Sequence, residues 1–138
     1  FIVEIKSLKR ILDESKKPEP LLCIIDEVLR GTNTIERIAA SSRILAALHQ
    51  NWVLSFAATH DIELSYILDS LYDNYHFEEE VKEKEVVFSY ILKKGRATSR
   101  NAIRLLDMLE YDLGIVEGAA KAARDFEEKG VWESLKPV

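Results

Sequence analysis

The sequence predicts an α/β fold, with parallel strands and flanking helices followed by a β-hairpin and two C-terminal helices. Two short apolar runs, Leu21-Leu22-Cys23-Ile24-Ile25 and Trp52-Val53-Leu54-Ser55-Phe56-Ala57-Ala58, both end abruptly in polar residues. Between them lies a helical stripe, the crossover that two parallel strands require. After Asn74 the apolar period changes to two, the mark of an antiparallel pair, and then returns to helical spacing.

The elements follow in order. In residues 1–15 the apolar positions Phe1, Ile5, Leu8, Ile11 and Leu12 recur at three and four, which predicts a helix. Lys16-Lys17-Pro18-Glu19-Pro20 stops it, because proline lacks a donor and biases its predecessor away from helix. The run Leu21 to Ile25 shows no alternation, as expected of a strand covered on both faces. Arg30-Gly31-Thr32-Asn33-Thr34 is rich in turn formers, and Asn33 with Glu36 three residues later resembles a capping box. It opens a helix to His49, with Ile38, Ala39, Ile44, Leu45 and Leu48 on one stripe.

Asn51 precedes the second strand, which ends in Thr59-His60-Asp61. Ile62 to Leu71 reads as a helix through Ile62, Tyr66, Ile67 and Leu71. Strands from Tyr75 to Val81 and from Val86 to Leu92 then turn near Lys82-Glu83-Lys84. Helices over Ser99 to Glu110 and Ile115 to Lys129 follow, the second closed by Gly130.

Size and composition bound the function classes. The 138 residues, 15.8 kDa, suit one core and bury roughly two-thirds of the extended surface on folding. With 47% hydrophobic residues, five Gly and three Pro, the chain is neither disordered nor low-complexity. Its net charge of −5 argues against a surface that is wholly a nucleic-acid clamp. The single cysteine, Cys23, cannot form an internal disulfide and reads as a buried thiol, which favours a cytoplasmic setting. No apolar run approaches the ~20 residues that span a bilayer. The sequence opens at Phe1 inside an apolar-periodic segment, as a piece of a longer chain would.

The chemistry gathers at the two strand ends. In open α/β sheets ligands bind beyond the carboxyl ends of strands, so Asp26-Glu27 and Thr59-His60-Asp61 are expected to face one crevice. An apolar strand ending in Asp-Glu can hold Mg²⁺ on the first carboxylate and orient or deprotonate a water with the second. The same pair also serves elsewhere as an ordinary polar loop start. His60 can hydrogen-bond a terminal phosphate, or simply its own backbone. One Cys and three scattered His cannot close a zinc site, and no Gly-x-Ser-x-Gly elbow occurs. Nor is there a Gly-x-x-x-x-Gly-Lys-Ser/Thr loop, so these residues alone do not make a complete P-loop ATPase. Lys93, Lys94, Arg96, Arg100 and Arg104 form a basic stretch best read as a solvated loop and helix face, and Glu78-Glu79-Glu80 belongs to a charged hairpin.

Three ordered segments resemble one family. Residues 21–34, LLCIIDEVLRGTNT, are similar to the Walker B strand and following loop of the MutS family of DNA mismatch-repair ATPases. Residues 56–64, FAATHDIEL, resemble that family's Thr-His-x-x-Glu-Leu segment, and Phe1 to Glu4 resembles the start of its signature helix. The resemblance implies a three-layer P-loop NTPase of ABC type, of which residues 1–138 are the C-terminal half without the Walker A half. It implies ATP and Mg²⁺ as cofactors, with Asp26 as the Mg²⁺ ligand through water, Glu27 polarising the hydrolytic water, and Thr59 and His60 meeting the nucleotide. It further implies a homodimer through a composite ATP site, met by Arg30, Gly31, Thr32 and Asn33, with DNA bound by upstream domains. Arg100-Asn101-Ala102 stands where mismatch-repair members carry Ser-x-Gly, a departure that suggests a MutS-like paralogue. Two other functions share these residues: a non-catalytic dimerisation or interaction fragment, and an ABC-type ATPase acting on a different cargo.

Overall fold

A computed structural model of the chain describes residues 1–98 and 101–137. Helix α1 spans Ile2–Ser15, strand β1 Leu21–Asp26, helix α2 Thr34–Ala47 and strand β2 Val53–Ala58. β1 and β2 pair in parallel, Leu21 opposite Val53 through Asp26 opposite Ala58. The strand-helix-strand crossover read from the sequence is therefore present. Its helix is capped at the predicted residue: Asn33 Oδ1 accepts the Glu36 N–H at 3.0 Å, and the return bond to Glu36 Oε2 comes from the Asn33 side-chain Nδ2 at 3.0 Å.

Helix α3 covers Ile62–Ile67, four residues shorter than the apolar spacing predicts. The carbonyl of Ser65, which would accept the next helical N–H, is instead taken by Asn74 Nδ2 at 3.0 Å and Arg96 Nη2 at 3.2 Å. The Asp69 N–H turns to Tyr66 O at 3.4 Å, and the chain leaves the helix.

The predicted pair of long strands is broken into two ladders. Strand β3, Tyr75–His76, pairs with β6, Lys93–Lys94, while β4, Glu79–Lys82, pairs antiparallel with β5, Glu85–Phe88. The β4–β5 turn lies where the sequence placed it, with Glu83 and Lys84 both left-handed at φ 44° and 68°, as a two-residue hairpin loop requires. Tyr90 at φ 54° interrupts the second strand. Beside the gap in the first strand, Glu78 accepts from Lys93 Nζ at 2.8 Å and meets His76 Nε2 at 2.9 Å. These two partners hold its carboxyl below the usual range, Lys93 most of all. Helices α4, Ala102–Met108, and α5, Leu113–Lys129, complete the chain. The expected start of α4 at Ser99 and the basic-stretch residue Arg100 lie outside the described residues. Gly130 ends α5 at φ 72°, a left-handed position that glycine adopts without a Cβ clash.

The chain divides into two units: residues 1–75 with 94–96, and residues 76–93 with those from 97 on. The buried apolar cluster belongs to the first, so the single core expected from length serves part of the chain rather than all of it. It joins Leu8 of α1, Cys23 and Ile25 of β1, Val28, Leu29, Leu45 and Leu48 around α2, and Leu64 and Leu68 around α3. In the second unit Val116 is the one buried large apolar side chain among the described residues.

Among the described residues only one face of the two strands is covered. Cys23 and Ile25 point into the cluster, but Leu22, Ile24, Leu54 and Phe56, one residue out of phase, are 61%, 72%, 60% and 57% exposed. Helices pack on one side of the β1–β2 pair, giving two layers among the described residues. Burial pushes the Cys23 thiol up, which leaves it protonated and inert at neutral pH. No helix among these residues is long and apolar enough to cross a membrane.

Candidate active site

The parallel register sets the site. Because Asp26 lies opposite Ala58, the residues after each partner leave the sheet side by side. Glu27 donates its N–H to Ala58 O at 2.9 Å, extending the ladder by one bond beyond Asp26. Its backbone then turns left-handed at φ 54°, and so does that of Leu29 at φ 58°. Such conformations are costly for side-chain-bearing residues and persist only where surrounding contacts enforce them. Here Val28 and Leu29 insert into the core at 3% and 4% exposure, which anchors the chain just beyond Glu27.

The Glu27 carboxylate consequently meets the second strand end. Oε1 lies 3.0 Å from His60 Nε2, and Oε2 lies 3.3 Å from Arg30 Nε. A carboxylate with both oxygens engaged has a fixed orientation, and it remains 32% exposed, within reach of a water. The His60 side chain is 92% exposed, so its ring is held by little besides Glu27. Asp26 is exposed, and its carboxylate, unlike its laddered backbone, has no ion-pair or hydrogen-bond partner among the described residues. No cluster of three or more His, Cys, Asp or Glu that could enclose a metal ion occurs among them. A lone, unpaired carboxylate nevertheless suits Mg²⁺, which keeps several waters and takes one or two protein carboxylates together with phosphate oxygens.

The other residues singled out by sequence have local duties. Thr59 Oγ1 accepts the Asp61 N–H at 3.0 Å, shaping the loop that carries His60. Thr32 Oγ1 donates to Glu36 Oε2 at 2.9 Å and joins Asn33 in the cap of α2. Gly31 sits against Phe1: a Cβ there would lie 2.7 Å from Phe1 Cδ2. Arg30 is 68% exposed beyond its contact with Glu27.

Residues 1–127 match the sequence model of MutS domain V. The chain belongs to the MutS family. It is 33% identical over 139 positions to the DNA mismatch repair protein MutS of Aquifex pyrophilus, covering 98% of this chain and 16% of that protein. The DNA mismatch repair protein MSH3 of Eremothecium gossypii is 33% identical over 130 positions, 88% of this chain and 12% of the relative. MutS of Thermus thermophilus is 28% identical over 119 positions, 86% of this chain and 14% of the relative. The chain thus spans about one-seventh of the length of these relatives.

In this MutS-family chain the structure adds an element that no local pattern announces. Arg37 of α2 forks onto Asp61, Nε to Oδ2 at 2.7 Å and Nη2 to Oδ1 at 2.6 Å, with side chains 24% and 12% exposed. The pair ties α2 to the residue after His60 and so fixes the loop that His60 occupies. Twenty-four residues separate the partners in sequence, beyond any helical or strand spacing. The bond from Arg37 holds the Asp61 carboxyl below the usual carboxylate range. A depressed folded value gives stability that is complete above the unfolded Asp value of about 3.9 and is lost as pH falls through the folded one. Acid unfolding monitored by circular dichroism is therefore expected to show a component below about pH 4 that Asp61→Asn removes. Identical acid profiles would refute that linkage.

Two residues of the basic stretch, Lys93 and Arg96, form internal pairs. Arg96 meets Asp69 at 2.5 Å and stacks over the Tyr66 ring at 4.2 Å, while Lys93 meets Glu78. The charges of Lys93 and Arg96 are thus met within the chain.

Proposed function

We propose that this chain is the C-terminal half of an ABC-type, P-loop ATPase domain in a dimeric MutS-like protein, acting in DNA mismatch repair or as a paralogue of such proteins. In that reading, ATP binding and hydrolysis are coupled to binding of mismatched or irregular DNA by upstream domains. One observation carries it: the ends of two parallel strands join Glu27 to His60 at 3.0 Å beside the exposed carboxylate of Asp26. Membership of the MutS family and the mismatch-repair names of the relatives support the DNA side.

Each residue then has a chemical role. Asp26 would hold Mg²⁺, and the ion would supply charge neutralisation on the phosphates when bound. Glu27, kept in orientation by His60 and Arg30, polarises the attacking water and takes its proton. His60 exchanges Glu27 for a terminal phosphate oxygen, a movement its exposed ring permits, and so reports whether that phosphate is present. Arg30, Gly31, Thr32 and Asn33 meet the partner subunit across the composite site. Asp26→Asn in the full-length protein is expected to reduce Mg²⁺-dependent ATP hydrolysis by at least about tenfold and to raise the Mg²⁺ concentration needed for half-maximal turnover. Unchanged turnover at limiting Mg²⁺ would remove Asp26 from the site.

A second reading has its own support. The 138 residues contain no phosphate-cradling glycine loop, and Leu22, Ile24, Leu54 and Phe56 present an open apolar face. Taken alone, the chain is then a non-catalytic interaction module, with the nucleotide held mainly by residues elsewhere. Calorimetry of the 138-residue chain with Mg-ATP is expected to show no binding tighter than about millimolar, roughly −4 kcal/mol. Micromolar affinity would reject the module reading.

A further inference from the structure

We propose that Glu4, in the first turn of α1, is a positioning residue for Glu27, clamping the loop after β1 in the left-handed geometry that aims the Glu27 carboxylate at His60. The proposal rests on the ATPase reading above and goes beyond it by assigning control of the hydrolytic loop to a residue on another element. Glu4 Oε1 accepts the Leu29 N–H at 2.6 Å, a bond between positions 25 apart. It is short, as bonds to a carboxylate are, and stronger than a neutral one.

Its placement matters because of what the loop must do. Glu27 and Leu29 are both left-handed without being glycine, so the backbone relaxes unless anchored on each side. One anchor is the Glu27 N–H on Ala58 O at 2.9 Å, and a second is the burial of the Val28 and Leu29 side chains. The third is Glu4. A backbone N–H beside a buried side chain cannot be left unpaired cheaply, so without the Glu4 carboxylate the Leu29 amide rotates toward another acceptor or water. Glu27 lies two residues away and moves with it. Phe1, the residue capping α1, also meets this loop, packing so closely on Gly31 that a Cβ there would fall 2.7 Å from its ring. The N-terminal end of α1, with its capping residue, thus meets the loop at residues 29 and 31, so that a shift of this end is transmitted to the Glu27–His60 contact.

The test uses the full-length protein as wild type, Glu4→Ala and Glu4→Gln, since glutamine keeps a carbonyl acceptor. ATP turnover is measured together with hydrogen exchange of peptides carrying the Leu29 amide, and the Leu48 and Leu68 amides, bonded to Ile44 O and Leu64 O, report the fold. Glu4→Ala is expected to lower kcat by about tenfold to a hundredfold with KM within about twofold, and to speed Leu29 exchange at least about tenfold. Glu4→Gln is expected to restore both to within about threefold of wild type. Unchanged Leu29 exchange in Glu4→Ala, unchanged kcat, or equal loss in the glutamine variant overturns the proposal. Faster exchange at Leu48 and Leu68 as well would reduce Glu4 to a stability residue. A wild-type protein without turnover sinks the ATPase reading instead, while exchange at Leu29 still decides whether the clamp exists.

Discussion

Glu27→Gln in the full-length protein is expected to bind ATP as wild type does while steady-state hydrolysis falls by about a hundredfold to ten-thousandfold, the usual range for removing a positioned base. Glutamine is nearly isosteric: its carbonyl oxygen can accept from Arg30 while its amide donates to an unprotonated His60 Nε2, so the loop need not rearrange. What it cannot do is take a proton from water. Nucleotide affinity and turnover therefore separate in this variant, whereas damage to the fold would lower both. Turnover within about twofold of wild type would show that Glu27 is a polar loop residue and nothing more. The contact with His60 sharpens the comparison. If His60 only buttresses Glu27, His60→Ala lowers turnover less than Glu27→Gln does; if it also meets the terminal phosphate, nucleotide affinity drops too.

The second large effect concerns the core. Leu48→Ala is expected to destabilise the chain by about 2–5 kcal/mol, because a nearly inaccessible leucine leaves a cavity as well as losing its transfer free energy. Leu48 is 1% exposed and lies in a cluster of only nine buried residues. Against a total stability of about 5–15 kcal/mol, that loss is a large fraction. Leu135→Ala, at a position 93% exposed, is the control and should stay within about 0.5 kcal/mol. Urea unfolding followed by tryptophan fluorescence can report on the first unit because Trp52 Nε1 donates to Ser15 O at 2.8 Å and leaves that site on unfolding. A Leu48→Ala midpoint indistinguishable from that of Leu135→Ala would mean that the cluster is not what holds this unit together.

Much of the candidate site is legible in the sequence. Asp26-Glu27 and Thr59-His60-Asp61 each follow an apolar run, and the rule that strand carboxyl ends converge was enough to place them together. The cap of α2 was equally legible, since Asn33 and Glu36 are three residues apart and interact within a single turn. Where the reading failed, partners distant in sequence decided the outcome. Helix α3 stops early because Asn74 and Arg96 compete for the Ser65 carbonyl, and the second hairpin strand breaks at Tyr90, whose left-handed backbone no apolar alternation reveals.

The sequence by itself determined the strand-helix-strand crossover, the cap, the hairpin turn and the grouping of Glu27 with His60, because all of these follow from local periodicity and from the direction in which parallel strands run. Only the tertiary structure decided that Leu22 and Ile24 face outward, that Arg37 locks Asp61, and that Glu4 reaches Leu29. An apolar side chain specifies that it prefers burial, not which surface will provide it. A carboxylate specifies that it will accept a hydrogen bond, not which amide the packing of a remote helix will bring within 2.6 Å.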